Sequence, residues 1–258
     1  MCPENDPIRQ LPTHLAFLDI TRQDHSILDS KTGCALKAKI DDFIAPLCHE
    51  SIDILYQDEH ILLINKPTGL LSLSGKNPLN QDSVHFRLRR LFPEITLAHR
   101  LDFGTSGIMI LALNKAINAK LTKQFQCRSV QKTYLSELFG HLEEDTGVID
   151  APIAKDSENF PIVKICVQSG KLAQSHLQVI ARLLNPTRTR VLFTPITGRT
   201  HQLRIHSLAI GHPILGCDLY KNQHSEKLAS RLLLHADSLA FDHPITGERM
   251  SIHCPCSF

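Results

Sequence analysis

The chain lacks the features that would carry it into a membrane or through one. No apolar run approaches the ~20 residues that a membrane helix needs. The start, Met1-Cys2-Pro3-Glu4-Asn5-Asp6-Pro7, has acids and prolines where an export signal needs basic and then apolar residues. Eight cysteines among 258 residues are too sparse for a small disulfide scaffold, so thiols in a reducing cytosol are expected. Walker, G-x-G-x-x-G and H-E-x-x-H patterns are missing, and with them the signatures of nucleotide, dinucleotide and H-E-x-x-H zinc sites. There are no repeats and no low-complexity tract. The net charge is only +2, which alone predicts no polyanionic partner.

What is present is unevenly placed. Residues 1–51 hold five Lys/Arg against eight acids, whereas residues 84–132 hold nine Lys/Arg against two, Glu94 and Asp102. A positive field therefore surrounds one acid, which suits a polyanionic substrate as well as an ordinary solvated basic face. The 42% hydrophobic content supports a sizeable core, and the length fits one large domain with an appendage. The expected division is an N-terminal extension, 1–51, and a main domain, 52–258. In the extension, the apolar patches His14 to Ile20 and Phe43 to Leu47 predict a hairpin, a short helix packed on the main domain, or a mobile segment.

From residue 54 onward, Ile54-Leu55-Tyr56 and Ile61-Leu62-Leu63-Ile64 read as strands around a polar turn. Asn65-Lys66-Pro67-Thr68-Gly69 ends the second and presents Lys66 at a strand end. Ser83 is a candidate cap for a helix to about Phe92, and Asn114 for one to about Arg128, with Ile117, Leu121 and Phe125 on one face. Gln131 to Leu138, His176 to Ala181 and Val191 to Phe193 read as further strands, a mixed pattern rather than a strict βαβ alternation.

Two stretches carry chemistry. His99-Arg100-Leu101-Asp102-Phe103-Gly104-Thr105-Ser106-Gly107 precedes the apolar run Ile108 to Leu113, placing an acid beside cations at the mouth of a buried strand. The same residues also suit an Asx or ST turn whose side chains bond their own backbone. Thr197-Gly198-Arg199-Thr200-His201-Gln202-Leu203-Arg204 reads as a Gly turn and a helix from about Thr200 to Ile210. Arg199 and Thr200 at its start predict an anion site, and Arg204 one turn on offers a fork for a carboxylate or phosphate. A surface helix with a basic face is the plain alternative.

Taken together, residues 52–258 resemble the RluA family of pseudouridine synthases, in the members without an appended RNA-binding domain. The likeness rests on Ile54-Leu55-Tyr56-Gln57-Asp58, Asn65-Lys66-Pro67, His99-Arg100-Leu101-Asp102, Thr105-Ser106-Gly107 and Lys132-Thr133-Tyr134. It continues through Thr197 to Arg204, Gly211-His212-Pro213-Ile214-Leu215-Gly216 and Leu232-Leu233-Leu234-His235-Ala236, in the family's order. The resemblance implies an α+β fold, with a mixed, mainly antiparallel central sheet flanked by helices and an RNA-binding cleft. It implies isomerisation of uridines in structured RNA: in large-subunit ribosomal RNA, a tRNA anticodon stem-loop or both, with a tRNA acceptor stem as the alternative. No cofactor or metal is needed, and a cytoplasmic monomer is expected.

By the same resemblance Asp102 is the catalytic carboxylate, Arg204 its partner, and Tyr134 the ring that stacks on the target base. Arg100 takes the place of the extruded base, and Lys66, His99, Thr105, Arg199, Thr200 and His201 contact RNA. A silent RNA-binding protein on the same scaffold is a rival reading. A glycoside hydrolase is another, and it needs a second carboxylate near Asp102. The chain departs from the family in two places. Cys217 precedes Asp218 where an acid usually follows Gly216, and His253-Cys254-Pro255-Cys256 offers three clustered donors where structural zinc takes four. Ordinary thiols are expected there, since Cys217 or His243 would complete a site only if folding brought them near.

Overall fold

The seven residues after the Asp102 turn, Ser106–Ala112, form a strand buried at every position, as a continuous apolar run at the middle of a sheet must be. The structure is a computed structural model and describes Ala16–Phe17 and residues 43–258. In chain order the strands are β1 Ala16–Phe17, β2 Asp53–Gln57, β3 Ile61–Lys66, β4 Thr96–Leu97, β5 Ser106–Ala112, β6 Gln131–Phe139, β7 Thr146–Asp150, β8 Ile153–Lys155, β9 Val163–Ile165, β10 Gln174–Leu183, β11 Arg188–Pro195, β12 Leu234–Asp242 and β13 Arg249–His253. The helices are α1 Val84–Arg89, α2 Lys115–Gln126 and α3 Gln202–Ala209.

Eleven strands make one sheet in the order β1-β7-β10-β11-β6-β12-β5-β3-β2, with β13 beside β12 and β4 beside β5. Every pairing in it is antiparallel except β1 with β7 and β12 with β5. This is the mixed, mainly antiparallel α+β architecture expected. Both anticipated caps form: Ser83 Oγ accepts from the Phe86 N–H at 3.1 Å and Asn114 Oδ1 from the Ile117 N–H at 3.0 Å. The third helix starts two residues later than its sequence pattern suggests, because His201 adopts a left-handed backbone instead of continuing it.

The core falls into two clusters. One gathers β3, β5, α1 and α2 around Leu63, Met109, Val84 and Leu121, and the other gathers β6, β7, β11 and α3 around Leu138, Ile149, Phe193 and Leu203. Tyr134 on β6 packs against both. A seam between two half-cores is where a sheet surface can open into a cleft without exposing either core.

Of the first patch, only Ala16–Phe17 falls within the described residues; the rest of His14 to Ile20 lies outside them. The second, Phe43 to Leu47, is tied to the main domain. Asn80 Nδ2 donates to the Phe43 carbonyl at 2.7 Å, and its Oδ1 accepts from the Ala45 N–H at 2.8 Å. Arg87 binds Asp82 and also donates to the carbonyls of Cys48 and Glu50. The Phe43 ring stands edge-on to Phe103, 5.6 Å between centroids, next to Asp102 in sequence. Among the described residues Cys48, Cys166, Cys217, Cys254 and Cys256 are free thiols; Cys127 is disulfide-bonded, against the expectation of thiols throughout.

Candidate active site

Asp102 lies in the loop entering β5. The backbone closes the turn through the Thr105 N–H to the Asp102 carbonyl at 3.1 Å, but the carboxylate makes no hydrogen bond to its own turn among the described residues. The Asx-turn reading therefore fails for this side chain. It is 30% exposed and faces a cleft of about 620 Å³ at the seam between the half-cores.

The loop is fixed from behind. Ser106 Oγ lies 2.9 Å from His235 Nδ1 and accepts from Arg231 at 2.6 Å, while His235 Nε2 meets the Cys254 carbonyl at 2.9 Å. Because that carbonyl can only accept, Nε2 carries the His235 proton and Nδ1 accepts from the serine. The Leu232 to Ala236 motif thus supports the loop.

α3 is no surface helix. Its residues Gln202 to Ser207 are all buried. Gln202 Nε2 donates to the Gln174 carbonyl and Ser175 Oγ, both at 2.9 Å, and its Oε1 accepts from Thr197 Oγ1 at 2.7 Å and the Arg199 N–H at 3.0 Å. That last bond uses a backbone donor the expected anion site relied on. His206 spans Ser175 Oγ and the Ala151 carbonyl, 3.0 Å each, and burial pushes it down to about 4, so it is a neutral packing group.

Arg204 emerges from this helix into the site. Its Nη1 lies 3.9 Å from Asp102 Oδ2, a single long approach rather than a bidentate pair. The guanidinium is committed elsewhere: Nη2 is bound to Asp218, and Nε and Nη2 each meet Cys217 Sγ at 3.4 Å. The cysteine that breaks the family's pattern thus takes part, beside Asp218, in holding the arginine. Arg204 also lies over the Tyr220 ring, 5.4 Å from its centroid. Neither Asp218 nor Tyr220 was among the sequence candidates. The departure after Gly216 was the one signal available for the first, and none distinguished Tyr220 from a core tyrosine.

Tyr134 sits on β6 in the same cleft, half-buried, its hydroxyl held above the ordinary tyrosine range by burial and then by the Asp102 charge. Arg100 is exposed at the rim, and Thr105, Arg199, Thr200 and His201 line the wall with Arg128 and Lys132. Arg199 spends its Nε on the Leu172 carbonyl at 2.9 Å. Among the described lining residues Asp102 is the sole acid, against Arg100, Arg128, Lys132, Arg199 and Arg204. Among the described residues no second carboxylate lines the cleft, as a two-carboxylate glycosidase site would require.

One expected RNA contact is corrected, and a second keeps its place at the cleft as a neutral group. Lys66 has no accessible surface, and its ammonium is spent on the carbonyls of Pro67, Leu70 and Phe103. His99 is stacked on Phe125, centroids 4.7 Å apart, and its Nε2 accepts from the Ile110 N–H at 3.1 Å. Burial pushes this imidazole down to about 3, so it borders the cleft as a neutral spacer rather than a cation. In both cases a ring or ammonium next to a turn is claimed by the backbone it shelters.

A family profile described as RNA pseudouridylate synthase matches residues 60–209. The dual-specificity RNA pseudouridine synthase RluA of Yersinia pestis is 47% identical over 205 residues, covering 80% of this chain and 99% of that protein. Its namesake from Escherichia coli K12 is 43% identical over 205 residues, covering 80% and 93%. Among solved structures, human RNA pseudouridylate synthase domain containing 1 superposes with a TM-score of 0.71 at 32% identity, covering 83% of this chain and 86% of its own. The chain belongs to the RNA pseudouridine synthases, and within them to the RluA family; it is an isomerase of that class.

Proposed function

We propose that the chain isomerises uridines in large-subunit ribosomal RNA and in a tRNA anticodon stem-loop, with Asp102 as the catalytic carboxylate. The supporting observation is convergence: a loop before β5, strand β6 and helix α3 bring Asp102, Tyr134 and Arg204 into one cleft walled by cations. Its dual-specificity relatives support two substrates in place of one. The reaction breaks the bond from C1′ of the ribose to N1 of uracil and forms one to C5; C5 loses a proton and N1 gains one, so nothing is oxidised or consumed.

In this reading the Tyr134 ring stacks on the extruded base, and its hydroxyl, raised by burial, stays protonated. Arg100, exposed at the rim, fills the place the base vacates and offsets part of the few kcal/mol that extrusion costs. Arg199, Thr200, Arg128 and Lys132 meet phosphates. Arg204 orients the carboxylate through its 3.9 Å approach. The protein acts as a monomer in the cytoplasm, where its RNA substrates are.

Deletion of the gene, with pseudouridines mapped at nucleotide resolution across total RNA, tests this. Specific sites should vanish in ribosomal and transfer RNA, return with the wild type, and stay missing with Asp102→Asn, whose RNA affinity should remain within about tenfold because phosphate contacts are intact. Restoration by Asp102→Asn would remove Asp102 from its role, and loss confined to one RNA class would remove the dual substrate.

A further inference from the structure

His201 is held at φ 54° and ψ 19°, left-handed, at the N-cap of α3, where its side chain makes no capping bond. A residue with a β-carbon adopts that conformation at a cost, and such strain persists only where the surroundings enforce it. The ring is engaged instead with the site. Nδ1 lies 3.0 Å from the Tyr220 hydroxyl and Nε2 lies 4.0 Å from Asp102 Oδ2.

Hydrogen-bond bookkeeping fixes the ring's proton. Tyr220 is buried, and its oxygen already accepts the Val163 N–H at 2.8 Å, which leaves the phenolic proton to be donated. His201 Nδ1 is the acceptor in reach, so the neutral ring carries its proton on Nε2, on the side of Asp102. Burial holds the imidazole below its usual range, Arg204 acts in the same direction, and Asp102 and Asp218 oppose it. The ring is therefore neutral at pH 7.

We propose that His201 is a positioning residue for Asp102, its Nε2–H aimed at the carboxylate by Tyr220. The proposal rests on the reading of Asp102 as the catalytic group. The 4.0 Å separation is that of the free protein, in which catalytic contacts are often longer than in the substrate complex. Arg204 then supplies charge to the carboxylate and His201 supplies a neutral donor that fixes its orientation. Both lean on Tyr220, the imidazole through the hydroxyl and the guanidinium through the ring.

Two substitutions separate this role from a structural one. Gln places its amide nitrogen near where Nε2 stands, and Asn places its own near Nδ1; the left-handed backbone, by contrast, favours Asn. In single-turnover modification of RNA, His201→Gln should stay within about tenfold of wild type, while His201→Asn should lose about a hundredfold, the value of one aimed donor. RNA affinity should change by the same factor in both, so that the difference between them lies in the rate. If His201→Asn matches or exceeds His201→Gln, the position serves the backbone and the proposal fails. Nitrogen-resolved NMR of the imidazoles in the full wild-type chain at neutral pH decides independently of activity: an Nε2–H form supports the proposal, and an Nδ1–H or doubly protonated ring overturns it. An active Asp102→Asn would instead sink the catalytic reading while leaving the tautomer as measured.

Discussion

The ammonium of Lys66 has three protons and meets three carbonyls, those of Leu70 at 2.7 Å, Pro67 at 2.8 Å and Phe103 at 3.3 Å. Around it the Thr68 hydroxyl donates to the Gly104 carbonyl at 2.7 Å and the Gly69 N–H to Phe103 at 3.0 Å. The turn after β3 is thereby sewn to the loop carrying Asp102. Lys66→Met should cost about 3 kcal/mol or more, since buried carbonyls lose their donors, and should slow modification although this residue never reaches RNA. Burial pushes Lys66 from 10.5 down to about 7, while the three carbonyls favour its charged form. Between those values the unfolded chain holds a proton that the folded one has released, so stability rises with pH through that window. The gap between wild type and Lys66→Met in urea unfolding should therefore widen from pH 7 to about pH 9.5. A constant gap would mean that the carbonyls keep the ammonium charged. Sequence showed a lysine at a turn; that it is buried was decided by a loop 37 residues away.

At the scale of elements, the site depends on how closely β5 approaches β12. Gly107 has φ +113°, and a β-carbon there would lie 2.3 Å from the Ala236 carbonyl oxygen. Gly107→Ala meets both a disfavoured backbone and a backbone clash, and should destabilise by about 3 kcal/mol or more. Urea unfolding checks it, and a loss under about 1 kcal/mol would show that the two strands can part at little cost. The strand runs and both helix caps were legible because local pattern determines them: an apolar run must be covered, and Ser83 and Asn114 satisfy N–H groups three residues away. The burial of α3 was not, because the side chains that looked basic and polar, Gln202, Arg204 and His206, find their partners on β10, the loop after β7 and the segment after Gly216.

For the molecule as a whole, residues 43–50 are tied to the main domain ahead of β2. Asn80 and Arg87 bind the backbone of residues 43–50, and Phe43 rests on Phe103 in the Asp102 loop. Removal of residues 1–42 takes the two-residue β1 from the end of the sheet and should leave modification within about twofold, whereas removal of residues 1–51 also strips partners from Asn80 and Arg87, each worth about 1 kcal/mol. The longer deletion should lower the melting temperature by several degrees and slow turnover; equal behaviour of the two truncations, in melting and single-turnover assays, would show the segment to be passive.

Sequence by itself determined six of the strands, both caps, the family and the candidate trio Asp102, Tyr134 and Arg204, because periodicity, capping chemistry and motif order are properties of residues near one another in the chain. Tertiary structure decided which charged groups meet solvent and which meet carbonyls. It turned Lys66 into a support and His99 into a neutral ring at the cleft, gave Arg204 to Cys217 and Asp218 before Asp102, and set His201 and Tyr220 behind the carboxylate. Burial and hydrogen-bond partnership are set by segments distant in sequence, and a donor's role follows from the acceptor that folding brings to it.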